Sequence, residues 1–518
     1  MKSPVIAWTT HQGERFGFDP AQIFCRPMDF EALAAYASET RTEWADRYGG
    51  TGCGSAGGSG RCTSYGALQT KGVGTTPLVS PTADIYHSSG CMSLTEAGLE
   101  AIYSQIYAAA LPFGSVPTIA IALTGGKYTE SFTPGEARPA MRSLIFRPFV
   151  ARPAHFLRNV LNPEGRLPDI DRAGLSRDAA RTQTALGLLP IAMRSAMALE
   201  HPHDEGAALV DAGLRDLARR MAWQCAASFA KRFPHGSLTC SNIALGGQYL
   251  DFGVSSYVSS YRRRARPPVW QDPWNESKYL ARILHSLRLQ LAKYRPDLGG
   301  TEVISVSDLQ GVFYKQLAVR LEIEMAKMAG LTEDLAIQCP EPLRKALFNS
   351  MRLIWRRGAD EAFVSYTGWN TGHSTTPPPR AAGRYNLNMI LAKAGAENCS
   401  FSWESALRPL LEDDQLRALF IHDYEAVRRW ARSCGVAQPC TVDKFFTTQA
   451  ARKNAELPEL DRGALVKALQ QLEADGGKDV GQFIDQTVMR AQRAVSDLDP
   501  DIIASNGIEQ LRVLDSIQ

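Results

Sequence analysis

The chain has 518 residues, of which 44% are apolar and 21% charged, a composition typical of soluble globular proteins and a length greater than one ordinary domain. Its formal net charge is only +3, so charge alone gives no reason to expect a nucleic-acid partner. No apolar run is long enough to span a membrane, and the first residues lack the hydrophobic stretch of a signal peptide. We therefore expect a cytoplasmic protein without a membrane partner.

The ten cysteines are scattered, and no two of them form a CxxC pair. Zinc sites built on cysteine normally need such closely spaced ligands, so a zinc site has little support. Reduced, unpaired thiols are the expected state in a cytoplasmic protein.

The N-terminal part of the chain predicts a small mixed lobe. Residues 1–45 form an extension, with a helical pattern in DFEALAAYASETRTEWADRY (29–48). In the lobe itself, residues 46–150, a Gly-rich segment precedes runs of β-branched and apolar residues that are typical of strands. One clear amphipathic helix, SLTEAGLEAIYSQIYAAAL, lies between them. The predicted strands are LQTKGVGTTPLV (68–79), PTADIY (81–86), VPTIAIALTG (116–125) and MRSLIFRPFV (141–150).

The rest of the chain is predominantly helical in pattern. Residues 151–375 form a predicted helical lobe with long amphipathic stretches at 209–233, 277–294 and 313–331. The stretch 235–253 interrupts them as short strands or loops. Proline-rich runs at 262–274 and 374–380 predict loops or boundaries. The last region, 376–518, is also mostly helical and more polar.

The Gly-rich segment YGGTGCGSAGGSGRCTSYG (48–66) is the first candidate for chemistry. Glycine lets a backbone come close to phosphate oxygens and direct several N–H groups at them. The pattern matches neither a Walker A motif nor a dinucleotide-binding GxGxxG. Taken alone, it is more typical of a flexible linker or surface loop, since Gly-rich loops are common.

The next candidate residues follow the order found in kinases: a lysine, two glutamates and a stretch that resembles a metal-binding motif. Lys71 lies on a predicted strand after the Gly-rich segment, and the next helix carries Glu96 and Glu100. The stretch HGSLTCSNIALGGQYLDFG (235–253) contains Asn242 and Asp251. Amide and carboxylate oxygens suit Mg²⁺, which prefers hard ligands.

Arginines cluster where the two predicted lobes meet. The segment RSLIFRPFVARPAHFLRN (142–159) holds Arg142, Arg147, Arg152 and Arg158. Guanidinium groups can bind a triphosphate through two hydrogen bonds at once. Surface arginines on a connecting segment are the alternative for each of them.

This order of motifs resembles one family, the selenoprotein O (SelO)-like pseudokinases, which are protein adenylyltransferases. The resemblance rests on YGG…GSGR, LQTKGVGTTP, EAGLEAIYSQIY and HGSLTCSNIALGGQYLDFG, and it covers roughly residues 45–375. It implies an α+β, protein-kinase-like fold of two lobes, followed by a helical C-terminal extension. It also implies ATP bound in an inverted orientation, Mg²⁺ or alternatively Mn²⁺, and AMP transfer to hydroxyl groups of a protein or peptide acceptor.

The resemblance assigns roles to individual residues of this chain. Lys71 with Glu100 corresponds to the ion pair, and Asn242 with Asp251 to the Mg²⁺ ligands. The arginine segment is longer than in the family, which leaves Arg152 as an alternative phosphate ligand. The positions that correspond to nucleotide-contacting residues are Gly58, Gly60, Arg61, Lys71, Ser89, Gly90, Arg147 and Arg158.

The chain departs from the family at the position of the proposed catalytic base. The aspartate expected directly before the Asn is Ser241, and the aspartate that other kinase-like enzymes place after His-Gly is Ser237. A base contributes about 10²–10⁴-fold when the acceptor must lose a proton, as a hydroxyl does and a carboxylate does not. Three interpretations stay open. The first is adenylyl transfer with another residue as base or with none, the second is activation of a carboxylate or kinase-like phosphoryl transfer on a peptide, and the third is a non-catalytic nucleotide-binding scaffold.

The substitution Ser241→Asp tests whether a lost base limits the reaction. We expect transfer to hydroxyl acceptors to improve, because the new carboxylate would accept the proton that the hydroxyl must lose. Initial rates of label transfer from ATP to a Ser-, Thr- or Tyr-containing acceptor measure the effect. An unchanged or lower rate would contradict the lost-base account.

Overall fold

The α+β class predicted from the sequence is confirmed, with a six-stranded antiparallel sheet in the N-terminal part and helices making up 59% of the residues that the structure describes. The structure is a computed structural model. It describes residues 5–10, 43–52, 57–79, 88–130, 137–159, 178–197, 204–257, 264–265, 276–361, 364–365, 385–397, 400–434 and 439–495.

The sheet has six strands, which are β1 Val5–Thr9, β2 Trp44–Arg47, β3 Gly58–Tyr65, β4 Leu68–Lys71, β5 Ala120–Glu130 and β6 Arg138–Pro148. Their order across the sheet is β1-β5-β6-β4-β3-β2, with antiparallel neighbours throughout. Lys71 on β4 stands opposite Cys62 on β3 and Ile145 on β6, so its strand is covered on both edges. The register places Arg147 directly opposite Gln69.

The helix α1, Leu94–Ala110, is the helix predicted between the strands. Ser93 caps its N-terminus, where its hydroxyl accepts a hydrogen bond from the Glu96 N–H at 3.1 Å. Glu96 and Glu100 are four residues apart, so both point to one side of the helix. Nearly every residue of α1 is buried, because the helix lies between the sheet and other helices.

The helices after α1 are α2 Asp178–Gly187, α3 Leu189–Ala196, α4 Gly206–Ala230, α5 Ser277–Tyr294, α6 Pro296–Gly299, α7 Val306–Met328, α8 Glu333–Gln338, α9 Glu341–Glu361, α10 Leu387–Ala396, α11 Ser400–Leu407, α12 Asp414–Ser433, α13 Pro439–Lys453, α14 Arg462–Ala474 and α15 Val480–Val495. The predicted helices 209–233, 277–294 and 313–331 correspond to α4, α5 and α7. Two 3₁₀ turns, Pro153–Phe156 and Pro458–Leu460, and a short strand pair, β7 Arg264–Ala265 with β8 Val364–Ser365, complete the elements of the described parts.

The helices belong to two large apolar cores. The first core contains α1, part of the sheet, α4 and α5, and also residues of α14 and α15. The second core contains the end of α7 and helices α9 to α13. The last two helices therefore return to α1, although α10 to α13 pack elsewhere.

The structure corrects two details of the predicted elements. Residues 44–47 end the predicted helix 29–48 but form β2, because Trp44 and Ala45 pair with β3; strand pairing overrides the local helical pattern. The predicted strand 68–79 ends at Lys71, because Gly72 and Gly74 take φ values of 93° and 98°. The predicted strand 81–86, residues 29–42 and the proline-rich runs, apart from 264–265, lie outside the described residues.

Within the described part of the chain, no helix combines the length and apolar character needed to cross a membrane.

Gly58 should be sensitive to any side chain. Its φ is 153°, and an added Cβ would overlap the backbone carbonyl of Asp46 on the paired strand. We expect Gly58→Ala to lower the free energy of unfolding by at least about 2 kcal/mol, measured by urea denaturation. Gly66→Asn is the matched control, because Gly66 has φ 58° with open space around it and Asn tolerates this conformation. Equal effects of the two substitutions would contradict the prediction.

Candidate functional site

A buried lysine joins two carboxylates from distant parts of the chain. The Lys71 Nζ lies 2.5 Å from Glu100 Oε1 on α1 and also contacts Asp251 Oδ1. Lys71 and Glu100 are each only 1% exposed, whereas the Asp251 side chain is 33% exposed. Asp251 is therefore the member of the group that faces open space.

The charges of these three groups depend on one another. Burial acts against the ammonium of Lys71, but Asp251 and Glu100 outweigh it and raise the pKa of Lys71. Burial also opposes ionisation of Asp251, yet Lys71, Arg147 and Arg61 hold the pKa of Asp251 well below its usual range. For Glu100 burial wins over Lys71, and its pKa is raised. The centre thus keeps Lys71 protonated and Asp251 ionised.

Glu100 also binds the loop that carries Asp251. Its Oε2 accepts a hydrogen bond from the Phe252 N–H at 3.0 Å, while its Oε1 faces Lys71. One carboxylate therefore fixes the strand lysine and the loop together. This contact makes the position of α1 a determinant of where Asp251 lies.

A second ion pair lies beside the first. Arg61 on β3 donates two hydrogen bonds to Glu96, at 2.8 and 3.2 Å. Glu96 Oε1 is 3.8 Å from the Lys71 Nζ. Of the two glutamates considered from the sequence, Glu100 is the nearer partner of Lys71, and Glu96 holds Arg61.

The loop before Asp251 is organised around a buried histidine. His235 Nε2 donates to the Leu250 carbonyl at 2.9 Å, and its Nδ1 accepts from the Ser237 N–H at 3.3 Å, which assigns the tautomer. Glu276 accepts the backbone N–H groups of His235 and Gly236 at 3.2 and 2.5 Å. Burial lowers the pKa of His235 to about 4, so the ring is neutral at pH 7.

Asn242 is held with its amide oxygen next to Ser241. Its Nδ2 donates to the Ser237 carbonyl at 2.7 Å, and its Oδ1 accepts from the Ser241 hydroxyl at 3.1 Å. The Ser241 oxygen also lies 2.9 Å from the hydroxyl of Thr239, and the Ser241 carbonyl accepts from Arg152 at 3.2 Å. Ser241 thus orients Asn242 and its neighbours.

The backbone of Asp251 is in an unusual conformation. Its φ is 71°, in the left-handed region that costs energy for residues other than glycine. Such strain is concentrated at functional sites, where the surrounding contacts hold it. Here the contacts from Lys71 and from Glu100 to the next residue supply that restraint.

The side-chain oxygens of Asn242 and Asp251 fit the chemistry of Mg²⁺, since an amide oxygen and a carboxylate are hard ligands. No group of three His, Cys, Asp or Glu side chains suited to a metal occurs among the residues that the structure describes. Two protein ligands are nonetheless typical of Mg²⁺ sites in which phosphates and waters complete the coordination.

The predicted phosphate-binding arginines have different environments. Arg147 donates through Nε to Gln69 Oε1 at 2.6 Å, and Gln69 in turn binds Asp46. Arg152 is 3.6 Å from Asp46 and donates to the loop of Ser241. The Arg158 side chain donates to the Tyr294 hydroxyl on α5 at 3.1 Å. Arg147 and Arg152 therefore share one network, and among the described residues no hydrogen bond or ion pair of the Arg158 side chain joins it to that network.

The predicted glycine and serine positions shape the backbone near Lys71. Gly90, with φ 64°, packs so closely on Gly74 that an added Cβ would overlap it. The Gly74 N–H donates to the Gly90 carbonyl at 3.1 Å, and the Ser89 hydroxyl accepts from the Cys91 N–H at 3.2 Å. Gly60 accepts through its carbonyl from the Thr76 N–H at 2.9 Å. Residues 53–56 of the Gly-rich segment lie outside the described residues.

Searches of protein-family models and of curated proteins returned no match to this chain.

Sequence reasoning missed three residues that support the site: Asp46, Glu276 and Arg462. Asp46 accepts from Gln69 and Ser64, and Glu276 holds the His235 backbone. Arg462 binds carbonyls of the loop after Asp251. None of them lies in a motif, and each acts through contacts far along the chain, so no local pattern could have indicated them.

Protonation of His235 should destabilise the fold in acid. Because its pKa falls from about 6.5 unfolded to about 4 folded, its contribution is complete above pH 6.5 and is lost as pH falls towards 4. The shift corresponds to about 3 kcal/mol. We expect His235→Gln, which keeps a donor for Leu250, to reduce the slope of unfolding free energy against pH in this window.

The control is His422→Gln, since the His422 side chain is 73% exposed. Urea denaturation between pH 4 and pH 7 measures both slopes. The same slope in His235→Gln and the unsubstituted protein would show that another group causes the acid sensitivity.

Proposed function

We propose that this chain is an ATP- and Mg²⁺-dependent nucleotidyltransferase that moves AMP to a protein or peptide acceptor. In this proposal the sheet and α1 are the small lobe of a kinase-like fold, and the helices from α2 onward form the large lobe. The observation that carries it is the convergence of Lys71, Glu100 and Asp251, since Lys71 and Asp251 are 180 residues apart in the chain.

A purely structural role would explain this centre less well. Burying an ammonium and two carboxylates is costly, and apolar residues of similar size often stabilise a core as well or better. The strained backbone of Asp251 and its partial exposure add cost without adding packing. Perturbed charges of this kind are concentrated at functional sites.

The side chains divide the proposed work between them. Lys71, held by Glu100, would bind phosphate oxygens, and Arg147 and Arg61 would add positive charge beside it. Asn242 and Asp251 would hold Mg²⁺, which when bound neutralises phosphate charge. In the transfer, a bond would form between the acceptor oxygen and the α-phosphorus of ATP. The bond between the α-phosphorus and the oxygen that bridges to the β-phosphate would break, and pyrophosphate would leave.

Ser241 occupies the position of the base but is placed to act differently. Its hydroxyl donates to Asn242 Oδ1, so its role is to orient a metal ligand. A hydroxyl is too weak a base to accept a proton at neutral pH. The proton of a hydroxyl acceptor would therefore pass to solvent, and a carboxylate acceptor would need no such transfer.

The position of the label distinguishes the alternatives. The purified chain is incubated with Mg²⁺ or Mn²⁺, a degenerate peptide library, and ATP labelled at either the α- or the γ-phosphate. Label from α-phosphate on protein or peptide supports the proposal, and label from γ-phosphate alone would replace it with phosphotransfer. Hydroxylamine-sensitive α-label would indicate a carboxylate acceptor. ATP binding without transfer of either label would favour a scaffold.

Asp251→Asn should strongly reduce metal-dependent transfer. The substitution keeps the shape of the side chain but removes the charge that faces Lys71 and open space, so we expect a loss of at least about 100-fold. Asp475→Asn makes the same change at an exposed position after α14 and should leave the rate unchanged. Full activity in Asp251→Asn would refute the site assignment.

A further inference from the structure

The segment 455–495, here called the C-terminal clasp, comprises α14, α15 and the turn before them, and it packs directly on α1. An added Cβ at Gly98 would lie 2.6 Å from a side-chain methyl of Leu469, so the Leu469 side chain of α14 packs directly on the backbone of α1. Thr95 donates to Glu473 at 2.8 Å, and the Tyr103 hydroxyl donates to the Leu460 carbonyl at 3.1 Å. The clasp therefore contacts α1, the helix that carries Glu100, through side-chain packing and hydrogen bonds.

The same clasp also holds the loop that follows Asp251. Arg462, the first residue of α14, is only 3% exposed. Its guanidinium donates to the Ser255 carbonyl at 3.1 Å and to the Gly253 carbonyl. Further along the loop, the Tyr257 hydroxyl donates to the Ala455 carbonyl at 3.1 Å.

These two sets of contacts join the halves of the candidate site. Glu100 lies on α1. Asp251 lies two residues before Gly253, whose carbonyl accepts a hydrogen bond from Arg462. Glu100 and Phe252 are 152 residues apart in the chain, whereas the clasp contacts both α1 and the loop after Asp251. A guanidinium has a rigid, planar fork, so binding two carbonyls restricts the loop more than one hydrogen bond would.

We infer that Arg462 is a positioning residue, which fixes the loop 251–255 against α1 and so sets where Asp251 lies relative to Lys71 and Glu100. The inference about the loop rests on the contacts alone. Its consequence for nucleotide binding rests on the proposed function.

The test compares Arg462→Met with the unsubstituted chain in two measurements. Hydrogen exchange followed by mass spectrometry should show protection in residues 250–257 falling by about tenfold or more, with less than about twofold change in α4. Affinity for a fluorescent ATP analogue with Mg²⁺ should weaken by about tenfold or more. Arg462→Lys, which keeps the charge and some donors, should recover part of both effects.

Arg288→Met is the matched control for loss of a buried guanidinium. Arg288 on α5 binds carbonyls as Arg462 does, donating to Ile304 at 2.7 Å and Gly300 at 3.1 Å. It should lower general stability without selective exchange at 250–257. Exchange that rises equally in α4, or does not rise in the loop, would overturn the inference.

The two measurements also separate this inference from the proposed function. Faster loop exchange with unchanged affinity for the analogue would overturn the positioning role. If the unsubstituted chain binds no nucleotide, the proposed function fails, and exchange in the loop alone decides whether Arg462 fixes it.

Discussion

The arrangement of this molecule depends on one buried ammonium. Lys71 is almost wholly removed from water, and a buried cation is tolerated only when anions and hydrogen-bond acceptors surround it. Glu100 and Asp251 meet that need, and they come from α1 and from a loop much further along the chain. The sheet, the helix and the loop must therefore be placed together, because a misplaced carboxylate would leave the ammonium without a partner.

A second layer of contacts keeps these partners in place. Neutral His235 ties the two ends of the 235–253 stretch through Leu250 and Ser237, and Glu276 anchors the backbone before it. The clasp packs on the side of α1 that faces away from the sheet, which explains why nearly every residue of this helix is buried. Neither layer contributes the charges of Lys71, Glu100 and Asp251, yet both hold the elements that carry those charges.

The chemistry that such a centre supports is electrostatic. Fixed cations and an ionised carboxylate can stabilise charge on transferring phosphates without further reorganisation, which is the main term in this class of reaction. On the proposed function, the position of the usual base holds a serine, Ser241, whose hydroxyl orients the neighbouring Asn242 amide. On the proposed function, the nature of the acceptor is therefore a stronger constraint than it is in an enzyme with a carboxylate base.

The sequence by itself determined the elements whose signal is local. The periodicity predicted α5 at its observed bounds, 277–294, and α1 between the strands, because apolar residues at helical spacing mark a buried face. The motif order indicated Lys71, Glu100, Asn242 and Asp251 as one group. Tertiary structure decided that Glu100 rather than Glu96 is the nearer partner of Lys71, and that Arg152 joins the network of Arg147.

Only the tertiary structure showed β2, the network of Asp46, and the clasp with Arg462. In each case the stabilising energy comes from pairing with residues far away in the chain, and the local sequence pattern carries no information about those partners. Residues 44–47 look helical until β3 lies beside them, and Arg462 looks like an ordinary first residue of a helix. Local periodicity fixes an element, whereas its partners are fixed by which buried charges and hydrogen bonds the whole fold must satisfy.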